Sequence, residues 1–355
     1  MKKFLILTSF IFLISGQSFS FDFKKDNLYP INDKNGGGYI NKDGSILIEQ
    51  KYNFAYAFVD NFAIVQAKNN KYGIIDRNGN VVIDFQYDEL TNLSENFVFY
   101  KEDNKFGCID ILNKSKSKAI YDKTKKFKEG LAAVLVDDKW GFINKKGEIV
   151  IKPQYFAVSN FSEGLAAVSH SAYKTSGYIN KKGKTVILFK DNSLEPKEFY
   201  KGLAPVITEN DKACSYINKR GKTVLDNKKI YPANIYCGNF YEGLSVFYID
   251  NNPRKITTGY IDKKGKIKYS MLFPIPKTVS EGEFSAFEHF SSNMAQFTTD
   301  YKTGYINRKF QIVIPPVYEF ARDFTGDLAY VKFENKEGYI NKKGQWIWQK
   351  EREGM

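Results

Sequence analysis

One tetrapeptide recurs nine times along the chain and restricts it to a repeat architecture. It reads Gly38-Tyr39-Ile40-Asn41, Gly73-Ile74-Ile75-Asp76, Gly107-Cys108-Ile109-Asp110, Gly141-Phe142-Ile143-Asn144 and Gly177-Tyr178-Ile179-Asn180. It continues as Ser215-Tyr216-Ile217-Asn218, Gly259-Tyr260-Ile261-Asp262, Gly304-Tyr305-Ile306-Asn307 and Gly338-Tyr339-Ile340-Asn341. Successive copies start 35, 34, 34, 36, 38, 44, 45 and 34 residues apart. A period of this size marks a supersecondary unit too small to bury its own apolar face, so the copies must cover one another.

The parts of each copy have physical roles. Asn or Asp ends the tetrapeptide in all nine copies, and Gly stands three residues later in seven, as at Gly44, Gly147 and Gly344. That pairing suits a turn in which the side-chain oxygen accepts turn amides and Gly takes a positive φ. Asn113 and Phe310 replace the Gly in the third and eighth copies. Asn tolerates that conformation and Phe does not, so the eighth turn is expected to differ. An aliphatic strand follows, such as Ile149-Val150-Ile151, and Pro153 or Pro315 is expected to stop its pairing. Glu-Gly-Leu-Ala segments, as at Glu129 and Glu163, then open a third strand. The unit predicted is a three-stranded antiparallel meander with apolar residues on both faces.

About nine such meanders stack as an all-β open or curved superhelix, or close as a propeller-like ring; nine units exceed the usual propeller count, which favours the open form. The expected divisions are residues 1–20 as a signal peptide, 21–37 as a cap or edge segment, 38–348 as the array and 349–355 as a polar tail. Trp346 and Trp348 are expected to plug the terminal face, with a sugar-stacking pair as the alternative.

The fourth copy is the most complete. It runs Lys139-Trp140-Gly141-Phe142-Ile143-Asn144-Lys145-Lys146-Gly147, then Pro153-Gln154-Tyr155, then Phe161-Ser162-Glu163-Gly164-Leu165-Ala166-Ala167-Val168. This pattern resembles the WG (KWG) repeats of bacterial proteins, and the resemblance extends over nearly all of the chain after residue 20. Only this copy keeps Trp before Gly; Tyr72, Phe106, Ser176 and Glu337 stand there in others. The resemblance implies a β-rich interaction module without naming a ligand.

The N-terminus reads as an export signal. Lys2 and Lys3 precede an apolar run over residues 4–14, and Ser18-Phe19-Ser20 places small residues at the cleavage positions. The run is short for a membrane span, and no later segment approaches one. Cleavage after Ser20 removes two lysines from a formal charge of +13. Only six of the 53 basic residues are Arg and the lysines fall mostly in turns, which argues against nucleic acid and leaves anionic surface polymers as a possible ligand. Export permits a disulfide, for which Cys214 and Cys237 are the candidates, while Cys108 reads as a small buried hydrophobe.

Uniformity fails between residues 184 and 303, where insertions fall at 191–198, 226–237 and 269–289. Insertions in repeat proteins concentrate on loops of the binding face, which nominates Tyr231, Tyr236, Tyr241, Phe273, Phe284 and Phe287 as a binding surface. Catalysis has little to work with: His170 and His289 lie in different copies, and Glu129, Glu163 and Glu242 recur as repeat elements. Asp76-Arg77-Asn78-Gly79-Asn80 resembles a short calcium loop, but the same turn elsewhere carries two lysines. The expectation is a non-enzymatic module of the envelope or extracellular space, with no metal or cofactor. It would bind a protein partner or, alternatively, a glycan or cell-wall polymer.

Overall fold

The computed structural model describes residues 27–170, 176–189, 194–208, 213–226, 235–252, 255–274 and 287–352. The export signal of residues 1–20 lies outside them. Among the described residues the chain forms nine antiparallel sheets, seven of four strands and two of three. Numbered in chain order, their tetrapeptide strands are Gly36–Ile40, Tyr72–Asp76, Lys105–Asp110, Lys139–Asn144, Ser176–Asn180, Ala213–Asn218, Lys255–Asp262, Lys302–Asn307 and Lys336–Asn341.

The sheets are out of phase with the unit read from the tetrapeptide. In the fourth sheet the order is Lys123–Thr124, Leu131–Val136, Lys139–Asn144 and Ile149–Tyr155. The Glu-Gly-Leu strand therefore does not close its own copy; Leu131 pairs with Asn144 and Ala133 with Phe142 of the next. A two-residue strand precedes it and makes the usual sheet four-stranded. At the start of the chain, Tyr29–Asp33 is the first strand of the first sheet, so this part of the expected cap belongs to the array itself.

Proline does not end the last strand. Pro153 lies inside Ile149–Tyr155, and Pro315 and Pro316 inside Ile312–Tyr318. In both sheets the pairing with the tetrapeptide strand skips residues, from Trp140↔Tyr155 to Phe142↔Ile151 and from Thr303↔Tyr318 to Tyr305↔Ile314. The proline sits in this bulge, where no ladder amide is required of it. The bulge also explains the tetrapeptide's first residue. A Cβ on Gly141 would stand 2.5 Å from the Ile151 carbonyl oxygen and 2.7 Å from the Pro153 nitrogen, and Gly304 faces Ile314 and Pro316 in the same way. Only glycine lets the bulged strand cross so closely.

The tetrapeptide aromatic is the inter-sheet connector. Tyr39, Tyr178, Tyr216, Tyr260 and Tyr305 are all fully buried. Each ring lies against a phenylalanine of the following sheet, in the pairs Tyr39–Phe58, Tyr178–Phe199, Tyr216–Phe240, Tyr260–Phe290 and Tyr305–Phe324, with centroids 4.7 to 4.9 Å apart. Each hydroxyl donates to a main-chain carbonyl two residues before that phenylalanine, at Tyr56, Lys197, Gly238, Glu288 and Arg322, over 2.6 to 2.8 Å. Phe142 keeps the ring contact, with Phe161 at 4.8 Å, but has no hydroxyl to donate. A buried phenol needs such a partner, and the ring supplies large apolar contact.

The array closes. The ninth sheet packs against the first through a cluster of Tyr29, Ile31, Ile40, Leu328 and Tyr339. Tyr339 donates to the Pro30 carbonyl over 2.9 Å, repeating the connector across 309 positions of sequence. Tyr29 donates to the Thr325 carbonyl and accepts from the Asp327 amide. Gly44 of the first sheet lies on Ile347 of the ninth, much as Gly344 lies on Ile314 of the eighth. An open stack of nine sheets has eight interfaces; here nine apolar clusters occupy nine. The ring alternative from the sequence is thus the observed form, and the open superhelix is not. Trp346 and Trp348 pack into the two apolar clusters flanking the ninth sheet, so the expected end plug lies at the closing seam. Among the described residues no strand crosses this seam: the strands of the first sheet are all N-terminal and those of the ninth all C-terminal.

Two predictions follow from these contacts. In urea denaturation, Tyr29→Ala should cost about 3–5 kcal/mol by emptying a packed site. Tyr339→Phe should cost about 0.5–1.5 kcal/mol, because the partly buried hydrogen bond to the Pro30 carbonyl is lost. The second concerns alkaline pH. Burial pushes the phenols of Tyr178, Tyr216, Tyr260, Tyr305 and Tyr339 far above the ordinary value. In the unfolded chain these groups lose protons near pH 10. Their contribution is complete below that pH and is lost as pH rises toward the folded values, so the urea midpoint should fall steeply above about pH 10. A flat midpoint through this range would contradict the buried connectors.

Candidate functional site

Two sets of turns share one end of every regular sheet, because the Glu-Gly-Leu strand starts opposite the end of the tetrapeptide strand, as in Leu165↔Asn180. The Asn turn forms as its sequence dictates. Asn144 Oδ1 accepts the amides of Lys146 and Glu148, and Gly147 donates to the Asn144 carbonyl. In the second sheet the Asp76 carboxylate takes the amides of Asn78 and Asn80 and the Asn80 side chain, so the loop that resembled a calcium site uses its oxygens to hold the turn.

The eighth turn does not differ as expected. Phe310 adopts φ of +61°, and its amide donates to the Asn307 carbonyl just as the glycines do. The strain is offset by contact: the Phe310 ring stacks on Tyr269 at 5.0 Å and 6°, and lies near Tyr260 and Phe290. In the third sheet Lys114, not Asn113, takes the positive φ.

The Glu-Gly turn is a two-residue hairpin with both central residues left-handed, as at Glu163 and Gly164. These turns form a belt. Glu129 accepts the amides of Glu163 and Gly164, Glu95 accepts Gly130, Glu163 accepts Gly202, and Glu242 accepts Asn293. The first turn lysine of the following sheet reaches back to the same carboxylate, in Lys145–Glu95, Lys181–Glu129 and Lys219–Glu163 pairs at 3.1 to 3.2 Å. Burial works to raise the Glu129 carboxyl, but hydrogen bonds from Lys181 and the turn amides outweigh it and hold it below its ordinary value. Equivalent positions of successive sheets come into hydrogen-bond reach along this edge, so this edge faces the ring axis.

Between Glu163 and Glu242 the belt is interrupted by Lys201, which occupies the glutamate position of the sixth sheet, and beyond Glu242 by Ser292 of the eighth. There an aromatic row takes over. Tyr200, just before Lys201, lies 5.1 Å from Tyr241, the equivalent residue of the seventh sheet. Tyr241 in turn stacks on His289 of the eighth at 4.3 Å. His289 Nε2 is 3.3 Å from an Asp323 oxygen of the ninth sheet, whose other oxygen accepts from Gln296. The row spans four successive sheets and is half-buried.

Of the six residues nominated from sequence, Tyr241 alone stands in this row. Phe287 is buried with 2% exposure in the apolar cluster of Tyr260 and Phe297, so it is core and not binding surface. Tyr231 and Phe284 lie outside the described residues; Tyr236 and Phe273 stand on the strands Ile235–Cys237 and Ile267–Pro274, with side chains outside that description. Cys214 and Cys237 stand on strands of adjacent sheets, the sixth and the seventh, and their side chains are likewise outside it. Cys108 is buried, and burial raises its thiol pKa. Tyr200 and the His289–Asp323 pair were not singled out from sequence. Their signal was the Tyr that replaces Ser or Lys ahead of Lys201-Gly202 and Glu242-Gly243.

Nine sheets closed into a ring define a nine-bladed all-β propeller. A crystal structure of a eukaryotic initiation factor shares this fold with a TM-score of 0.61 at 11% identity, over 92% of this chain and 96% of that one. Hsv2p of Kluyveromyces lactis is similar at a TM-score of 0.42 and 9% identity, over 75% and 97% of the two chains. The family described as WG containing repeat matches residues 38–72, 72–106, 106–140, 140–171 and 304–336, and the chain belongs to the WG-repeat proteins. No curated relative matches it in sequence. Among the described residues no helix is long and apolar enough to cross a membrane.

The eighth turn supplies a discriminating test of the local argument. Phe310→Gly and Phe310→Ala both lose the aromatic stack and should each lower stability by roughly 2 kcal/mol or more. The Ala variant keeps the strained φ and should be the worse of the two by about 1 kcal/mol in thermal or urea unfolding.

Proposed function

We propose that the chain is an exported, non-catalytic propeller that holds a protein partner at the aromatic row of its sixth to ninth sheets. The observation that carries the reading is the row itself: Tyr200, Tyr241 and His289 align across the break in the glutamate belt and stay half-exposed. Tyrosines backed by a rigid scaffold are favoured anchors of protein interfaces, since they bring large area at small entropic cost. A glycan fits less well. Tyr241 is covered on both sides by its neighbours, so the row offers ring edges where a sugar would need an open face. The non-catalytic part rests on the glutamates, whose oxygens are engaged by turn amides and lysines. Export rests on the pattern of residues 1–20.

The test is quantitative capture from envelope extract, comparing the mature protein with a Tyr200→Ala, Tyr241→Ala variant and with a control changed on the far arc at Val81→Ser. A partner retained by the wild type and the control, and depleted about tenfold or more by the double variant, is the expected result. Equal capture by all three would remove the row from the function.

A further inference from the structure

The lysines of the Asn turns divide into two classes. In the fourth to eighth sheets the first of each pair is consumed in the belt: Lys145, Lys181 and Lys219 pair with the preceding glutamate, and Lys263 and Arg308 donate to the preceding turn carbonyls of Lys201 and Glu242. The second is not. Lys146, Lys182, Arg220, Lys264, Lys309 and Lys343 are exposed, and their side chains enter no ion pair among the described residues. They occupy one equivalent position in six consecutive sheets, the fourth to the ninth. Asp43, Asn78 and Leu112 stand there in the first three, so the ring carries a basic arc on one face of its turn end.

Three to four residues beyond these cations the chain exposes an aliphatic collar, which Ile46 and Val81 extend into the first two sheets. The strand that leaves each turn exposes Val150 at 44%, Val186 at 46%, Val224 at 48% and Ile312 at 59%, with Ile149, Ile267 and Val313 also uncovered. Equivalent positions of like units around a closed ring share one height above it. The cations therefore form one arc and the aliphatic groups, three to four residues further along the outgoing strand, a second arc beside it. A dissolved polyanion would use the cations and leave the collar wet. A flat surface with negative headgroups over hydrocarbon satisfies both, since lysine heads stay with the headgroups while short aliphatic side chains reach the acyl boundary.

We infer that the turn end of this arc is a docking face for an anionic lipid bilayer. The inference stands independently of the partner reading, because it uses other residues and another ligand. The two combine in one consequence. The aromatic row opens at the same end of the sheets, so a partner taken there is one that itself lies against the membrane.

Flotation of the purified mature protein with vesicles tests this without any partner. Phosphatidylcholine vesicles containing phosphatidylglycerol should bind the ring, and pure phosphatidylcholine should bind it much more weakly. Combined charge reversal at Lys146, Lys182, Arg220 and Lys264 to Glu should lower binding about tenfold or more. Val150→Ser with Val186→Ser and Val224→Ser should lower it several-fold while leaving the unfolding temperature unchanged, since these side chains are uncovered. Absence of binding that depends on phosphatidylglycerol overturns the inference. So does vesicle binding that the serine variant retains in full and that soluble polyphosphate or polyglutamate abolishes, which would make the arc a site for a dissolved polyanion or an acidic polypeptide.

Discussion

The ring depends on one buried phenol repeated around it. Each tetrapeptide tyrosine leaves its own sheet, lies on an aromatic ring of the next, a phenylalanine in five cases and Tyr29 for Tyr339, and donates its hydroxyl to that sheet's main chain. The apolar contact supplies the attraction between sheets. The hydroxyl restricts it to one registry, since a shift would strand both the donor and a buried carbonyl. Nine interfaces set by nearly the same geometry turn each sheet by nearly the same angle, and the ninth then meets the first. Among the described residues the seam is closed by side chains: Tyr339 lies on Tyr29 and donates its hydroxyl to the Pro30 carbonyl. The three consecutive interfaces without the hydroxyl, after Ile74, Cys108 and Phe142, lie among the most regular copies. There packing alone keeps the registry, with Phe127 between Phe97 and Phe99 in one case and Phe161 on Phe142 in another.

Much of this fold was legible because repeats average out local ambiguity. The Asn-to-Gly turn, the flanking strands and the demand for cover on both faces could each be argued from one copy and checked against eight others. What the repeat hides is its own phase. Any starting point describes a periodic sequence equally well, and the tetrapeptide was the most visible landmark. The actual sheet begins at the short strand before Glu-Gly-Leu, because Leu131 pairs forward to Asn144. Closure was illegible for a related reason. Per-sheet rotation is a property of packing across the interface, which composition does not encode, and the count of nine argued the wrong way. Pro153 and Phe310 failed as local signals because tertiary context overrode them: a bulge made the missing amide harmless, and an aromatic stack held a left-handed phenylalanine.

The candidate site was legible by region but not by residue. Departure from periodicity pointed to the middle of the chain, and Tyr241 lies there. Phe287 lay there as well and turned out to be core, since an aromatic in an expanded copy is as able to fill the space between sheets as to face solvent. The better signal is positional substitution within the aligned turn, where Tyr200 and Tyr241 stand in place of Ser162 or Lys128, and Lys201 in place of glutamate. A change at a turn position that aligns across the copies, where Glu95, Glu129, Glu163 and Glu242 supply the reference for Lys201, is more informative than an unusual residue in an insertion, which has no reference state.

The glutamate belt explains how a Lys-rich chain can keep a structured turn end and still present charge. In three turns a lysine is drawn inward to the carboxylate that caps the next turn, where the lysine and the turn amides outweigh partial burial and keep the acid ionised. The neighbouring cation is left over by geometry, because consecutive residues of the turn cannot both reach the same carboxylate. Part of the excess of Lys over acid is thereby gathered rather than scattered. It collects at one position per sheet, at one height, wherever the turn reads Asn-Lys-Lys-Gly or a close variant. The same repetition that makes the fold closes the ring and aligns its unpaired charge, so a surface property of the assembled ring is already present in a single turn.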